Sequence, residues 1–128
     1  MKAIVQNPTP SELEILQVLW SRGPSTVREV HESLSATKQL GYTSVLKLMQ
    51  IMTAKGLVTR SESQRAHIYE AGEPAEKTKQ QFAEDMLQRV FQGSASELML
   101  HALAARHSSK EELKELRRLL DEYERKQK

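Results

Sequence analysis

Apolar residues recur at two periods along this chain, and the changes between them divide it into elements. Leu13, Leu16, Leu19 and Trp20 return at helical spacing, with Ile15 at the edge of their stripe. Thr9-Pro10-Ser11-Glu12 precedes them as a capping box, with proline at the first helical position, and Arg22-Gly23-Pro24 closes the segment. Thr26-Val27-Arg28-Glu29 repeats the box and starts a short helix with Val27, Val30 and Leu34 inward. A polar link, 35–40, leads to a third helix over 41–56, with Thr43 as its expected cap and Gly56 as its left-handed end. Val45, Leu48, Met49 and Met52 face its core side. After Gly56 the period becomes 2, which predicts strands at 57–60 and 67–70. Three helices followed by a hairpin is the order of a winged helix-turn-helix domain, the hairpin being the wing.

Gly72-Glu73-Pro74 marks a boundary, which predicts a winged domain over 1–73 and an all-helical domain over 74–128. In the second part Phe82, Met86 and Val90 form one stripe, and Gly93 breaks it. Ser94-Ala95-Ser96-Glu97 and Ser109-Lys110-Glu111-Glu112 are two more capping boxes. The first opens a helix with Leu98, Leu100, Ala102 and Leu103; the second opens one with Leu113, Leu116, Leu120 and Tyr123, Leu119 adjoining. Three amphipathic helices in about 55 residues cannot bury their stripes alone. A second copy of the chain would cover them, making Phe82, Met86, Val90, Leu98, Leu113, Leu116, Leu120 and Tyr123 the expected dimerisation residues. The competing reading closes the same stripes against the winged domain in a monomer. The expected fold class is therefore mainly α: a winged helix-turn-helix domain and a helical dimerisation domain.

Charge alone points nowhere. The net charge is +2, with 8 basic and 7 acidic residues before Pro74 and 11 and 10 from there on. Any attraction for nucleic acid must come from how charges are distributed. The outward face of the third helix carries Thr43, Lys47, Gln50 and Ala54 and no acid, with Leu46 and Ile51 on its flanks. An amide can read base edges in a major groove, methyl groups can touch thymine, and hydroxyls and a lysine can hold phosphates. The competing reading is an ordinary solvated face. Arg60 and Arg65, at or near the hairpin tip, could reach a phosphate or the minor groove, although arginines are common at such tips.

Other chemistry finds little support. There is no cysteine, hence no disulfide framework, thiolate metal site or thiol nucleophile, which fits a cytoplasmic protein. No apolar run approaches the roughly 20 residues of a membrane span, and the N-terminal stretch lacks a signal-peptide core, so no membrane insertion is expected. His31, His67, His101 and His107 form no HExxH motif, and there is no glycine-rich phosphate loop. No catalysis, cofactor or metal is expected.

The motifs, taken together, resemble the penicillinase-repressor family, the BlaI/MecI/CopY-type transcriptional regulators. The likeness rests on Pro10-Ser11-Glu12-Leu13-Glu14-Ile15-Leu16 with Leu19-Trp20, and on Thr26-Val27-Arg28-Glu29-Val30. It extends through Tyr42-Thr43-Ser44-Val45-Leu46 with Lys55-Gly56-Leu57-Val58, to Val90-Phe91 and Glu97-Leu98. The resemblance implies a repressor that dimerises through its C-terminal helices on double-stranded DNA. Its operator would be an inverted repeat, often of TACA and TGTA half-sites, with base contacts from Ser44, Leu46, Lys47 and Gln50 and with Thr43 near the helix start. It also implies, for antibiotic-responsive members, a membrane sensor and protease partner that cuts an Asn-Phe bond. The corresponding pair here is His101-Ala102, and the cysteine cluster of copper-responsive members is absent, so the inducing signal stays open. A winged-helix module that meets a protein through Leu46 and Ile51, with no DNA, is the alternative function.

Overall fold

In a computed structural model that describes residues 7–62 and 65–127, six helices and a two-stranded antiparallel hairpin follow one another along the chain. The order is α1 (Pro10–Arg22), α2 (Val27–Ser35), α3 (Tyr42–Lys55), β1 (Val58–Ser61), β2 (Ile68–Ala71), α4 (Ala75–Arg89), α5 (Ala95–Ala105) and α6 (Lys110–Lys126). By compactness the chain divides into two units, Met1–Ala83 and Glu84–Lys128, with the dividing point inside α4.

The core of the first unit is built from the predicted stripes. Leu16 and Leu19 of α1, Val27, Val30 and Leu34 of α2, and Val45, Met49 and Met52 of α3 are all buried, joined by Val58 and Tyr69 of the hairpin. Not every position follows expectation. Ile15, expected at the edge, is fully buried at the centre, whereas Leu13 is only half-buried. Leu48 is likewise half-buried, packed against the core from one side. α2, α3 and β2 all meet α1, the helix that carries Ile15.

Capping follows the sequence at α1 and α2, where the boxes of Thr9 with Glu12 and Thr26 with Glu29 are complete in both directions. At α5 and α6, Ser94 and Ser109 accept the N–H of Glu97 and Glu112, which is half of each expected box. At α3 the cap is Gly41, without a side-chain hydrogen bond, so Thr43 lies inside the helix. The reason is register: helical geometry begins at Tyr42, one residue before the expected cap.

Glycine is needed at two junctions that aim the wing. Gly56 ends α3 at φ 82°, in the left-handed region, and its N–H and that of Leu57 return to the carbonyls of Thr53 and Met52 at 3.1 and 2.9 Å. Gly72 lets two backbones touch, because a Cβ there would sit 2.9 Å from the Gly56 carbonyl oxygen. The hairpin pairs Val58 with Ala71 and Ser61 with Ile68, so both strands start one residue later than predicted. Ser25 adds a single-residue bridge to Tyr69, with backbone hydrogen bonds of 2.9 and 2.8 Å, that clamps the α1–α2 turn onto β2.

The second unit is helical, and among the described residues of 84–127 none is buried. Val90 is 63% exposed, Leu100 65%, Leu120 64% and Tyr123 62%. Met99, Leu103, Leu113, Leu116 and Leu120 line a groove of about 440 Å³ between α5 and α6. α4 ends at Arg89, so Val90 lies just past the helix that carries Phe82 and Met86, in a turn completed by left-handed Gln92 and Gly93.

Candidate nucleic-acid interface

α3 presents an outward surface, because its core residues Val45, Met49 and Met52 are held from behind and most of its other positions are left outside. Thr43, Ser44, Lys47, Gln50 and Ala54 are exposed, and Ile51 is 38% exposed. Leu46, on the flank, is half-buried against the core. There is no acid in the first turn of α3, and its first N–H groups, without a side-chain cap, keep the positive end of the helix dipole open to an anion.

Two anchors set the position of this helix, and neither was legible in the apolar pattern. At its C-terminal end, Lys55 Nζ donates to Glu12 Oε2 at 2.8 Å, while Thr9 N–H donates to Glu12 Oε1 at 2.9 Å. The Glu12 side chain is 2% exposed and that of Lys55 33%. Burial pushes the Glu12 carboxyl up, but the Lys55 ammonium and the Thr9 donors outweigh it and hold the group below its ordinary value. At the N-terminal end, His31 Nε2 donates to the carbonyl of Leu40 at 2.8 Å, and the His31 ring meets Tyr42 edge-on, with centroids 5.9 Å apart. The capping box pointed to Glu12 only as a partner of Thr9; its second oxygen found Lys55 43 residues away.

The wing carries the two predicted arginines differently. Arg60 lies on β1 opposite Tyr69, and its guanidinium reaches Glu62 Oε2 at 3.0 Å. Its hydrogen bond to Tyr69, followed by the bond to and charge of Glu62, holds its proton more tightly than usual. Arg65 is exposed in the loop and forms no ion pair among the described residues. Trp20, expected to point inward, packs at the core margin and donates its indole N–H to the Glu73 carbonyl at 2.9 Å, tying α1 to the chain leaving the wing.

The predicted dimerisation residues fall into two exposure classes. Phe82, Leu98, Leu113 and Leu116 are half-buried, whereas Met86, Val90, Leu120 and Tyr123 are exposed. His101 and Ala102 are exposed within α5, and the His101 ring lies 5.6 Å from that of Phe91. Among the described residues no group of three metal-ligating side chains gathers, and no helix is long and apolar enough to cross a membrane.

The chain resembles known proteins over most of its length. A family model described as "Penicillinase repressor" matches residues 8–122. The chain is 46% identical over 59 residues to the transcriptional regulator BlaI of two Mycobacterium tuberculosis strains, a match spanning 45% of this chain and 43% of those relatives. Over 128 residues it is 24% identical to the penicillinase repressor of Bacillus licheniformis, covering 100% of this chain and 99% of that one. Among solved structures it resembles the DNA-binding domain of the repressor BlaI, at 24% identity and TM-score 0.50, over 59% of this chain and 90% of that domain. It also resembles the monomeric form of Bacillus licheniformis BlaI in complex with the blaP half-operator, at 19% identity and TM-score 0.50, over 57% and 89% of the respective chains. These likenesses establish the winged-helix fold of the first unit.

Proposed function

This chain belongs to the penicillinase repressor family, and from that premise we propose that it is a transcriptional repressor that binds an inverted-repeat operator as a homodimer. One observation carries the reading above all: α3 turns an acid-free face of Thr43, Ser44, Lys47 and Gln50 to solvent while its opposite face is fixed in the core. In the major groove the Gln50 amide donates and accepts at an adenine edge, Lys47 reaches guanine or a phosphate, and Leu46 offers methyl groups to thymine. Arg65, and Arg60 to the extent that Glu62 releases it, supply the wing's contacts to phosphate or minor groove. Residues 1–73 carry the DNA contacts and residues 74–128 the self-association. Support for the dimer comes from the second unit, where leucines, a valine and a tyrosine stay exposed and no described residue is buried. Apolar area left in water is worth roughly 25 cal/mol per Å² once covered, and a two-fold partner presents the same patch. A repressor family is not a family of enzymes, and the working place of an operator-bound dimer is the cytoplasm.

A gel shift on a fragment with TACA and TGTA half-sites in inverted repeat, run beside a scrambled fragment, tests the reading. Retention of the repeat alone, weakening steeply with salt, is the expected result. Equal, salt-insensitive behaviour on both fragments would leave the protein-interaction module as the better account.

A further inference from the structure

We propose that His31 of α2 is a positioning residue for base reading: it holds the start of α3 in place of a cap, and so sets how well the operator is told from other DNA. The proposal rests on the DNA-binding reading and gives a role to a side chain outside both the outward face of α3 and the wing. α1, α2, α5 and α6 each open on a Thr or Ser whose hydroxyl accepts an N–H of the first turn. The N-cap of α3 is Gly41, which has no side chain to do this. The link before it, 36–39, is exposed, and its Lys38–Glu14 ion pair at 2.6 Å lies half in water and is worth little.

His31 makes good the missing cap from both sides of Gly41. Its Nε2 donates to the Leu40 carbonyl at 2.8 Å, so the ring carries a proton on Nε2, a carbonyl oxygen being an acceptor only. The same ring meets Tyr42, the first residue of α3, edge-on with an interplanar angle of 80°. His31 is half-buried and Leu40 packs against the core, so the ring ties the helix start to a fixed part of the unit. Val45, one turn in, is buried, but apolar contact is non-directional and leaves the angle of the helix to the hydrogen bond. The far end of α3 is fixed separately, by Lys55 on buried Glu12. Loss of the near tether would therefore let α3 pivot about its far end. Lys47 lies eight residues from Lys55, about 12 Å along the axis, so a pivot of about 10° would shift it by about 2 Å. A base contact does not survive that, since hydrogen bonds span only about 2.7–3.2 Å. Attraction to phosphates does, because it comes from neutralised charge and released counterions and reads no sequence.

The test is fluorescence anisotropy of the full chain on the inverted-repeat and scrambled fragments across a salt series, with His31→Leu, His31→Asn and His31→Gln. Leucine removes the donor, the asparagine amide is too short to reach, and the glutamine amide can stand where Nε2 stood. His31→Leu should weaken binding to the repeat by about ten-fold, as one misplaced base contact would. Binding to the scrambled fragment and the slope of log affinity against log salt should stay as in wild type. His31→Asn should do the same and stands in should His31→Leu lower the melting temperature, and His31→Gln should restore most of the preference. An equal loss on both fragments would overturn the proposal, since that is what a merely structural role predicts. So would a lower salt slope, which would put the ring on a phosphate, an unchanged preference in both short variants, or a glutamine variant no better than leucine. In each of these cases the wild-type preference for the repeat leaves the repressor reading intact. If the wild-type protein does not prefer the repeat, the repressor reading falls and the proposal with it.

Discussion

Lys55→Met should lower the stability of the winged unit by about 2 kcal/mol, although the replaced side chain is one of the more exposed in the core's neighbourhood. The Glu12 carboxylate, at 2% exposure, has its two oxygens occupied by Thr9 N–H and Lys55 Nζ. Methionine keeps the apolar stem and removes the charge, so one oxygen of a buried anion loses its donor. Breaking a fully buried ion pair costs about 3–5 kcal/mol, and leaving one buried acceptor unsatisfied about 1–3 kcal/mol. The Lys55 end is 33% exposed, so water replaces part of what is lost, which places the effect near the middle of the smaller range. For a unit of this size each kcal/mol moves the midpoint by about 4–8 °C, giving a fall of roughly 8–16 °C. The pH dependence fixes the cause. Folding lowers the Glu12 pKa, so its contribution is full above the ordinary carboxylate range and is lost as the pH falls through the folded value. In Lys55→Met burial remains and its main counterweight is gone, so the acid-side loss of stability should begin at higher pH. Glu12→Gln with Lys55→Met should recover most of the loss, the coupling expected of a direct contact. Thermal unfolding by circular dichroism at neutral and mildly acidic pH measures all of this. A Lys55→Met midpoint within about 2 °C of wild type, with the same acid profile, would refute the reasoning. Since Lys55 is the last residue of α3, the same variant should also loosen the proposed recognition helix and weaken operator binding.

The other predictions follow the same logic on the two proposed surfaces. Gln50→Ala should leave melting within about 0.5 kcal/mol of wild type and relax preference at one symmetric pair of operator positions, by about 1–3 kcal/mol; binding to single-base operator variants reads this. Arg65→Ala should weaken all sequences alike and lower the salt slope by about one unit, as titrations in a salt series would register. Leu116→Ala with Leu120→Ala, each worth about 2–5 kcal/mol once covered by a partner, should shift the protein toward monomer. An unaltered sedimentation profile at micromolar concentration would count against these two leucines as interface.

Local rules wrote most of the first unit into the sequence. The capping boxes at Thr9 and Thr26, the inward stripes of Val27, Val30 and Leu34 and of Val45, Met49 and Met52, and the stop at Gly56 depend on residues within a few positions of one another. Helical and strand periods are likewise local, so the order of three helices and a hairpin could be read before any contact was known. The outward residues of α3 followed from the same periodicity, as the complement of its buried stripe. What tertiary structure alone decided are the partners distant in the chain. Ile15 is fully buried on a helix that three other elements meet, the second Glu12 oxygen accepts from Lys55, Trp20 reaches the Glu73 carbonyl, and Ser25 bridges Tyr69. No spacing rule connects such positions, because the chain between them turns freely in sequence space and only packing fixes where it returns. The exposed stripes of α5 and α6 mark the same limit from the other side: sequence made them apolar, while only an added surface can take them out of water.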